Sequence, residues 1–361
     1  MEQTKRIEYI DALRGFAMIL VIYFHIPSYC LGNAYIGFND ILEWVRMPLF
    51  FFISGFVFYK ADRIWTSKTI KAVLKKKFKV QIIPMAIFMT LFLIIFDYWE
   101  LSSLGSDKKG YWYTFVLFEY FILYIGAEIL FNRNNNRIGE FYVFLSVLLI
   151  SVISFYYAKY CTGYSEELGN WKAFFGFLSF VKIRHFIFFW FGTFVRKHFS
   201  GFISLTNNAL FLIIIIALYL TMTLFPIVYQ TEGLEYMAYM ITGMAISTIV
   251  FTFFRKKECL FTKDKWLGKS LQYIGRRSLD IYLIHYFFLP YHCLQDFGAW
   301  LIQYNSRILE VIVILFLSLF MLVICLIMSK IIRLSPFLAH YLLGAKCNKN
   351  TNPQITDWKD S

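Results

Sequence analysis

Ten apolar runs recur along this chain, at roughly residues 10–29, 41–60, 80–97, 112–131, 141–159, 178–196, 208–226, 236–254, 278–295 and 309–332. Most are about 18–24 residues long, enough to cross a ~30 Å hydrocarbon layer as a helix. Backbone amides in lipid must bond within their own segment, so helices are the reading that satisfies them. With 59% hydrophobic and only 16% charged residues, the composition excludes an ordinary soluble domain. No polar stretch is long enough to build a separate one. The expected architecture is an all-α integral membrane bundle of about ten transmembrane helices. It forms one membrane domain over residues 1–347, followed by a polar, disordered tail over 348–361.

Charge then sets the topology. The net charge is +13, but most of the Lys and Arg fall in alternate loops, notably residues 60–79 and 255–277. That alternation is the positive-inside pattern and places both termini in the cytoplasm. It argues against a nucleic-acid partner. Eight cations between Lys60 and Lys79 suit anionic lipid headgroups, and equally a multiply phosphorylated cytosolic cofactor. The first apolar run lacks a small-residue cleavage site and is expected to be retained as a span. Six cysteines form no CxxC pair and no metal spacing, so no metal is expected. Cys30, Cys161 and Cys293 fall near the outer face, which leaves a disulfide between two of them open.

Ionisable residues inside spans mark functional positions. Arg14 and His25 are eleven residues apart, about three helical turns or roughly 16 Å, and so lie on one face of the first span. Asp11 shares that face and is spaced to pair with Arg14. Arg14 sits near the cytoplasmic boundary, where a planar guanidinium suits a phosphate or carboxylate. The imidazole of His25 suits proton abstraction from a hydroxyl, although a packing histidine bonded to a carbonyl fits the residue type as well. The second span carries Glu43, Arg46 and Pro48, then the small step Ser54-Gly55, which admits a close helix or a slender ligand. Glu119 lies deep in the fourth span and calls for a histidine or arginine partner. The basic cluster Lys182-Ile183-Arg184-His185 interrupts the sixth segment. It either snorkels to the outer surface or faces a polar cavity. Ser278, His285 and His292 recur every seven residues in the ninth segment.

Three of these stretches in order resemble the acyltransferase-3 family of integral membrane acyltransferases. They are Asp11-x-x-Arg14-Gly15 with His25 closing the helix, Met47-Pro48-Leu49-Phe50-Phe51-Phe52-Ile53-Ser54-Gly55-Phe56, and Ser278-Leu279-Asp280-Ile281-Tyr282-Leu283-Ile284-His285. The resemblance runs from Arg6 to about Arg333. It implies transfer of an acyl group, usually acetyl, from cytosolic acyl-coenzyme A to a hydroxyl of a cell-envelope or lipid-linked glycan, in a bacterial inner membrane. By matching position, His25 would be the catalytic histidine, with Arg14 and Asp11 completing that set. Arg14, Lys76, Lys77 and Lys79 would meet the donor. Arg46, Ser54, Glu119, Arg184, His185 and His285 are the candidates for contacts to substrate or oxyanion. Many family members carry an Arg-x-x-Arg pair shortly before the proline that opens the third span. Here Phe78 and Gln81 occupy those positions ahead of Pro84, which puts that donor contact in doubt. Relatives with an appended periplasmic hydrolase-like domain also exist; no such domain is expected here. A transporter or flippase using the same buried charges is the competing reading, and an envelope-assembly scaffold a third.

Overall fold

The computed structural model describes residues 7–32, 36–96, 105, 107–132, 136–161, 174–224, 231, 233–291 and 293–345. Every regular element among them is helical. The first helix, α1 (Glu8–His25), opens with Glu8 and Asp11 in its first turn, where carboxylates complement the helix dipole. It then meets Pro27, which has no N–H to donate. The chain answers with one wide π turn, Ile26–Cys30, closed by Leu31 N–H donating to the Ile26 carbonyl at 3.2 Å.

The same device recurs at Pro84. Helix α3 (Ser67–Lys77) passes through a π turn, Phe78–Ile82, into α4 (Ile83–Ile95). Much of the basic stretch expected as a loop is thus the helix α3, started by the Thr66 hydroxyl accepting from the Thr69 amide at 3.2 Å. Between these lies α2 (Asn39–Phe58), with Pro48 inside it. Two long helices follow, α5 (Trp112–Phe131) and α6 (Arg137–Cys161). Next come α7 (Phe186–Lys197), the short α8 (Phe199–Asn207), α9 (Ala209–Leu224) and α10 (Glu235–Lys256). The remainder is α11 (Trp266–Arg276), α12 (Ser278–Ile284), α13 (Gln295–Gln303), α14 (Arg307–Ile332) and α15 (Pro336–Leu343).

Among the described residues, seven helices are long and apolar enough to cross a membrane, or up to eight if a bent pair counts as one span. The ten apolar runs therefore do not each yield one long helix. The sixth is broken where Ser179 takes a left-handed backbone, φ 51°, and a tight 3-10 turn, Phe180–His185, precedes the twelve residues of α7. The seventh belongs to a pair, α8 and α9, bent by 86° about Asn208, whose backbone is extended. The ninth holds only the seven residues of α12 and a 3-10 turn, His285–Phe287.

Two crossings position the centre of the bundle. At α1 and α11, a Cβ on Gly15 would sit 2.0 Å from the Leu271 carbonyl oxygen, and one on Gly275 would sit 1.9 Å from that of Asp11. At α2 and α7, a Cβ on Gly55 would sit 1.9 Å from the Phe189 oxygen, and one on Gly192 would sit 2.0 Å from that of Phe52. Backbones meet directly at both places, the use expected of small residues between membrane helices. The Ser54-Gly55 step is thus a helix contact on its glycine side.

Asp280 anchors α12. It accepts from Arg333 Nε at 2.9 Å and Nη2 at 3.0 Å, and from the Ser329 hydroxyl at 2.5 Å. The carboxylate is buried, and breaking a buried, hydrogen-bonded pair costs about 3–5 kcal/mol. Asp280→Ala is therefore expected to lower the thermal midpoint of the detergent-purified protein strongly, whereas the surface change Asp264→Ala should leave it in place.

Cys30 and Cys325 are buried free thiols, and Cys259 and Cys293 exposed ones. Cys30 and Cys293 are accordingly not bridged. The side chain of Cys161, the whole of His292 and the 348–361 tail lie outside the described residues.

Candidate active site

A cavity of about 260 Å³ runs beside α1. Its wall takes Arg14, Met18, Val21 and His25 from α1, which follow the 3-4 spacing of one helical face. Opposite stand Arg46, Ser54 and Phe58 of α2, Trp112 and Tyr113 of α5, and Ser278 and Tyr282 of α12, with Tyr286 just beyond. The turn between α3 and α4 closes the Arg14 end with Lys77, Val80 and Gln81.

The two ends differ in chemistry. At one, Arg14 Nη2 donates to the Ser278 hydroxyl at 3.3 Å, and the Lys77 ammonium lies 4.3 Å from the centre of the Phe121 ring. The side-chain amide oxygen of Gln81, Oε1, is buried there without a hydrogen-bond partner. At the other end, His25 is buried, with Nε2 3.4 Å from the Tyr286 hydroxyl and Nδ1 without a partner. His285 stacks on His25, ring centres 5.3 Å apart and planes 21° from parallel. Its Nδ1 lies 3.1 Å from the Ile281 carbonyl. A carbonyl only accepts, so Nδ1 carries the proton and the unpartnered Nε2 presents a lone pair.

Between the ends runs a tyrosine network. Ser54 and Tyr113 share a hydrogen bond of 2.8 Å. The Tyr113 amide donates to the Tyr282 hydroxyl at 3.0 Å, and that hydroxyl donates to the Gly110 carbonyl at 3.0 Å. Tyr111 donates to the Leu283 carbonyl at 3.0 Å. These bonds tie α5 to α12 and fix the wall on which Arg14 and His25 look out.

The residues expected from sequence divide accordingly. Arg14, His25, Arg46, Ser54 and Lys77 share the cavity. His285 is one ring behind His25. Asp11 is buried in α1 but is not part of the wall. Lys76 and Lys79 are exposed and point elsewhere. Arg184 and His185 also lie off the wall, and His185 Nδ1 instead meets the Tyr239 hydroxyl at 2.5 Å. Glu119 finds neither a histidine nor an arginine; the cation that acts on it is Lys108, and its Oε2 has no hydrogen bond. The sixth segment therefore contributes less to the cavity than its basic cluster implied. The third contributes more, through the π turn.

Lys108 is a buried cation on the loop before α5. Its ammonium donates to the Phe177 carbonyl at 2.7 Å and to the Ser179 hydroxyl at 2.6 Å, and burial lowers its pKa to about 8. It pins the strained turn at Ser179. Lys108→Met is expected to loosen residues 174–185, read as faster backbone hydrogen exchange there than in α5.

Sequence reasoning missed Trp112, Tyr113, Tyr282 and Tyr286. Tyr282 and Tyr286 sit in or beside a quoted motif. Trp112 and Tyr113 open a span, where aromatic residues read as an interfacial belt and hide a role in the wall.

A family model described as an acyltransferase domain, that of acyltransferase-3, matches residues 7–330. No curated protein and no solved structure matches the chain.

Proposed function

Because the chain belongs to the acyltransferase-3 family, a family of multi-pass membrane proteins, we propose that it transfers an acyl group, most simply acetyl, from cytosolic acyl-coenzyme A to a hydroxyl of a cell-envelope glycan. The observation that carries this reading is one cavity with Arg14 and Lys77 at one end and the unpartnered His25 Nδ1 at the other.

The donor is a bulky polyanion with a slender arm. A volume of about 260 Å³ is too small for all of it, so the phosphates stay at the Arg14 end and the pantetheine arm threads the cavity. The guanidinium of Arg14 grips phosphate as a fork and Lys77 acts as a point charge. Gln81 offers an amide donor where the family pattern has an arginine. At the far end His25 Nδ1 takes the proton of the acceptor hydroxyl. The hydroxyl oxygen attacks the thioester carbonyl carbon, the carbon–sulfur bond breaks, and the proton held by His25 passes to the departing thiolate. The new bond is an ester, and coenzyme A leaves as free thiol.

Inverted membrane vesicles containing the protein, given acetyl-coenzyme A labelled on the acetyl group and membranes of the native host, test the reading. Label in glycan with matching release of free thiol is expected. Intact donor with glycan movement across the bilayer would instead establish the transporter. The donor end has its own test. Lys77→Met is expected to raise KM for acetyl-coenzyme A about tenfold with kcat little changed, the cost of one charge-assisted phosphate contact.

A further inference from the structure

Two arginines carry buried, unpaired nitrogens, Arg46 on the cavity wall and Arg184 off it. The Arg46 guanidinium lies 3.4 Å from the centre of the Phe24 ring and forms no hydrogen bond or ion pair among the described residues; its Nε is buried and unpaired. Glu43, one turn earlier, is exposed and does not bridge to it. The Nε of Arg184 is likewise buried and unpaired. Both guanidiniums lie within electrostatic range of the same two groups, His185 and Tyr239. Lys182, which also acts on His185, is already paired with Asp107 at 2.5 Å, and Glu43 reaches Arg46 and Tyr239 only through space.

The turn that carries Arg184 is held in place. Ser154 donates to the Phe180 carbonyl at 2.6 Å, Tyr120 to that of Lys182 at 2.8 Å, and Tyr236 to that of Arg184 at 3.0 Å. Aromatic faces stand around it. Trp112 stacks on His185, and the part-exposed Trp44 packs edge-on against Tyr239 at 5.4 Å. A buried guanidinium nitrogen without a partner is costly, and neither arginine has an ion pair among the described residues. Arg184 on its braced turn and Arg46 beside the aromatic surfaces fit a ligand that brings both an anion and a ring to lie on those surfaces.

We propose that Arg46 and Arg184 form an acceptor subsite for an anionic group on the glycan, a carboxylate or a phosphate, so that the acceptor is an acidic glycan rather than a neutral one. This rests on the acyl-transfer reading above and deepens it. The donor phosphates belong to the opposite, Arg14 end, so the two anions do not compete.

The test measures binding and transfer side by side. Glycan from the native host is used untreated, carboxyl-methylated, or dephosphorylated with hydrogen fluoride. Its Kd for the detergent-purified full chain is measured with the wild type, Arg184→Gln, Arg184→Lys and Arg46→Gln. Each Gln variant is expected to weaken binding of untreated glycan about tenfold or more, the scale of a charge-assisted contact, and Arg184→Lys to recover part of it. One of the two treatments should weaken wild-type binding equally and identify the anion; on that glycan Arg184→Gln should cost nothing further. Wild-type affinity unchanged by both treatments, or by both Gln substitutions, would overturn the subsite. Charge-dependent binding without any transfer of label would overturn the acyl-transfer reading and leave the anion subsite standing.

Discussion

Replacing His25 by alanine is expected to reduce acyl transfer by about a thousandfold while the protein still accumulates in the membrane. General-base catalysis contributes about 10²–10⁴, and a thousandfold corresponds to about 4 kcal/mol of barrier. The imidazole borders a cavity, so its loss enlarges existing space and should spare the fold. His285 cannot take over directly. Its ring is stacked 5.3 Å behind that of His25, and it is absent from the cavity wall. His285→Gln should therefore cost far less than His25→Ala, through the support it gives the neighbouring ring. The readout is labelled acetyl in glycan, normalised to the amount of protein in the vesicles. Full transfer by His25→Ala would remove that residue from the chemistry.

Gly55→Val should remove folded protein altogether. An added Cβ at Gly55 would lie 1.9 Å from the backbone oxygen of Phe189, with the carbonyl carbon at 2.8 Å. No flexible side chain can give way there. Helices α2 and α7 must part, and the ring contacts Phe52–Phe191 and Phe58–Phe189 part with them. Overpacking of this kind costs about 1–3 kcal/mol where side chains can adjust, and more where backbone is the obstacle. Gly275→Val should behave alike, because its Cβ would meet the Asp11 oxygen at 1.9 Å and push α11 off α1. At Gly126 and Gly201 an added Cβ would meet nothing within 4 Å, so Gly126→Val is the matched control. Size-exclusion profiles of detergent extracts distinguish these outcomes. A monodisperse Gly55→Val peak at the wild-type position would show that the crossing is not needed.

Much of the site was legible because helical periodicity is strict. Arg14 and His25 had to share a face once the first run was read as a helix, and the structure gives them one cavity. The hydrophobic runs also located the long helices closely, as with α5 (Trp112–Phe131). What failed were breaks that hydropathy does not register. Ser179 in a left-handed conformation and the bend at Asn208 leave composition apolar while interrupting the helix. The acid and base pairings failed for another reason. Glu119 faces Lys108, a residue of a loop far from any motif, and pairing across helices depends on packing that sequence spacing does not encode. The aromatic wall stayed hidden because the chain has 42 Phe and 25 Tyr, so one more tyrosine carries little signal.

The π turn at Phe78–Ile82 makes the Arg14 end of the cavity sensitive to chain length as well as to residue identity. A π turn takes up one residue more than the α turn it replaces, so the helices on either side keep their facing. Deleting one residue there would restore regular winding and leave Lys77 on the cavity side. Adding a further residue would instead turn α3 by about 100° and carry Lys77 out of the cavity without mutating it. On the proposed acyl-transfer reading, a one-residue gain at this turn exchanges the charge presented to the donor in one step, and a one-residue loss does not.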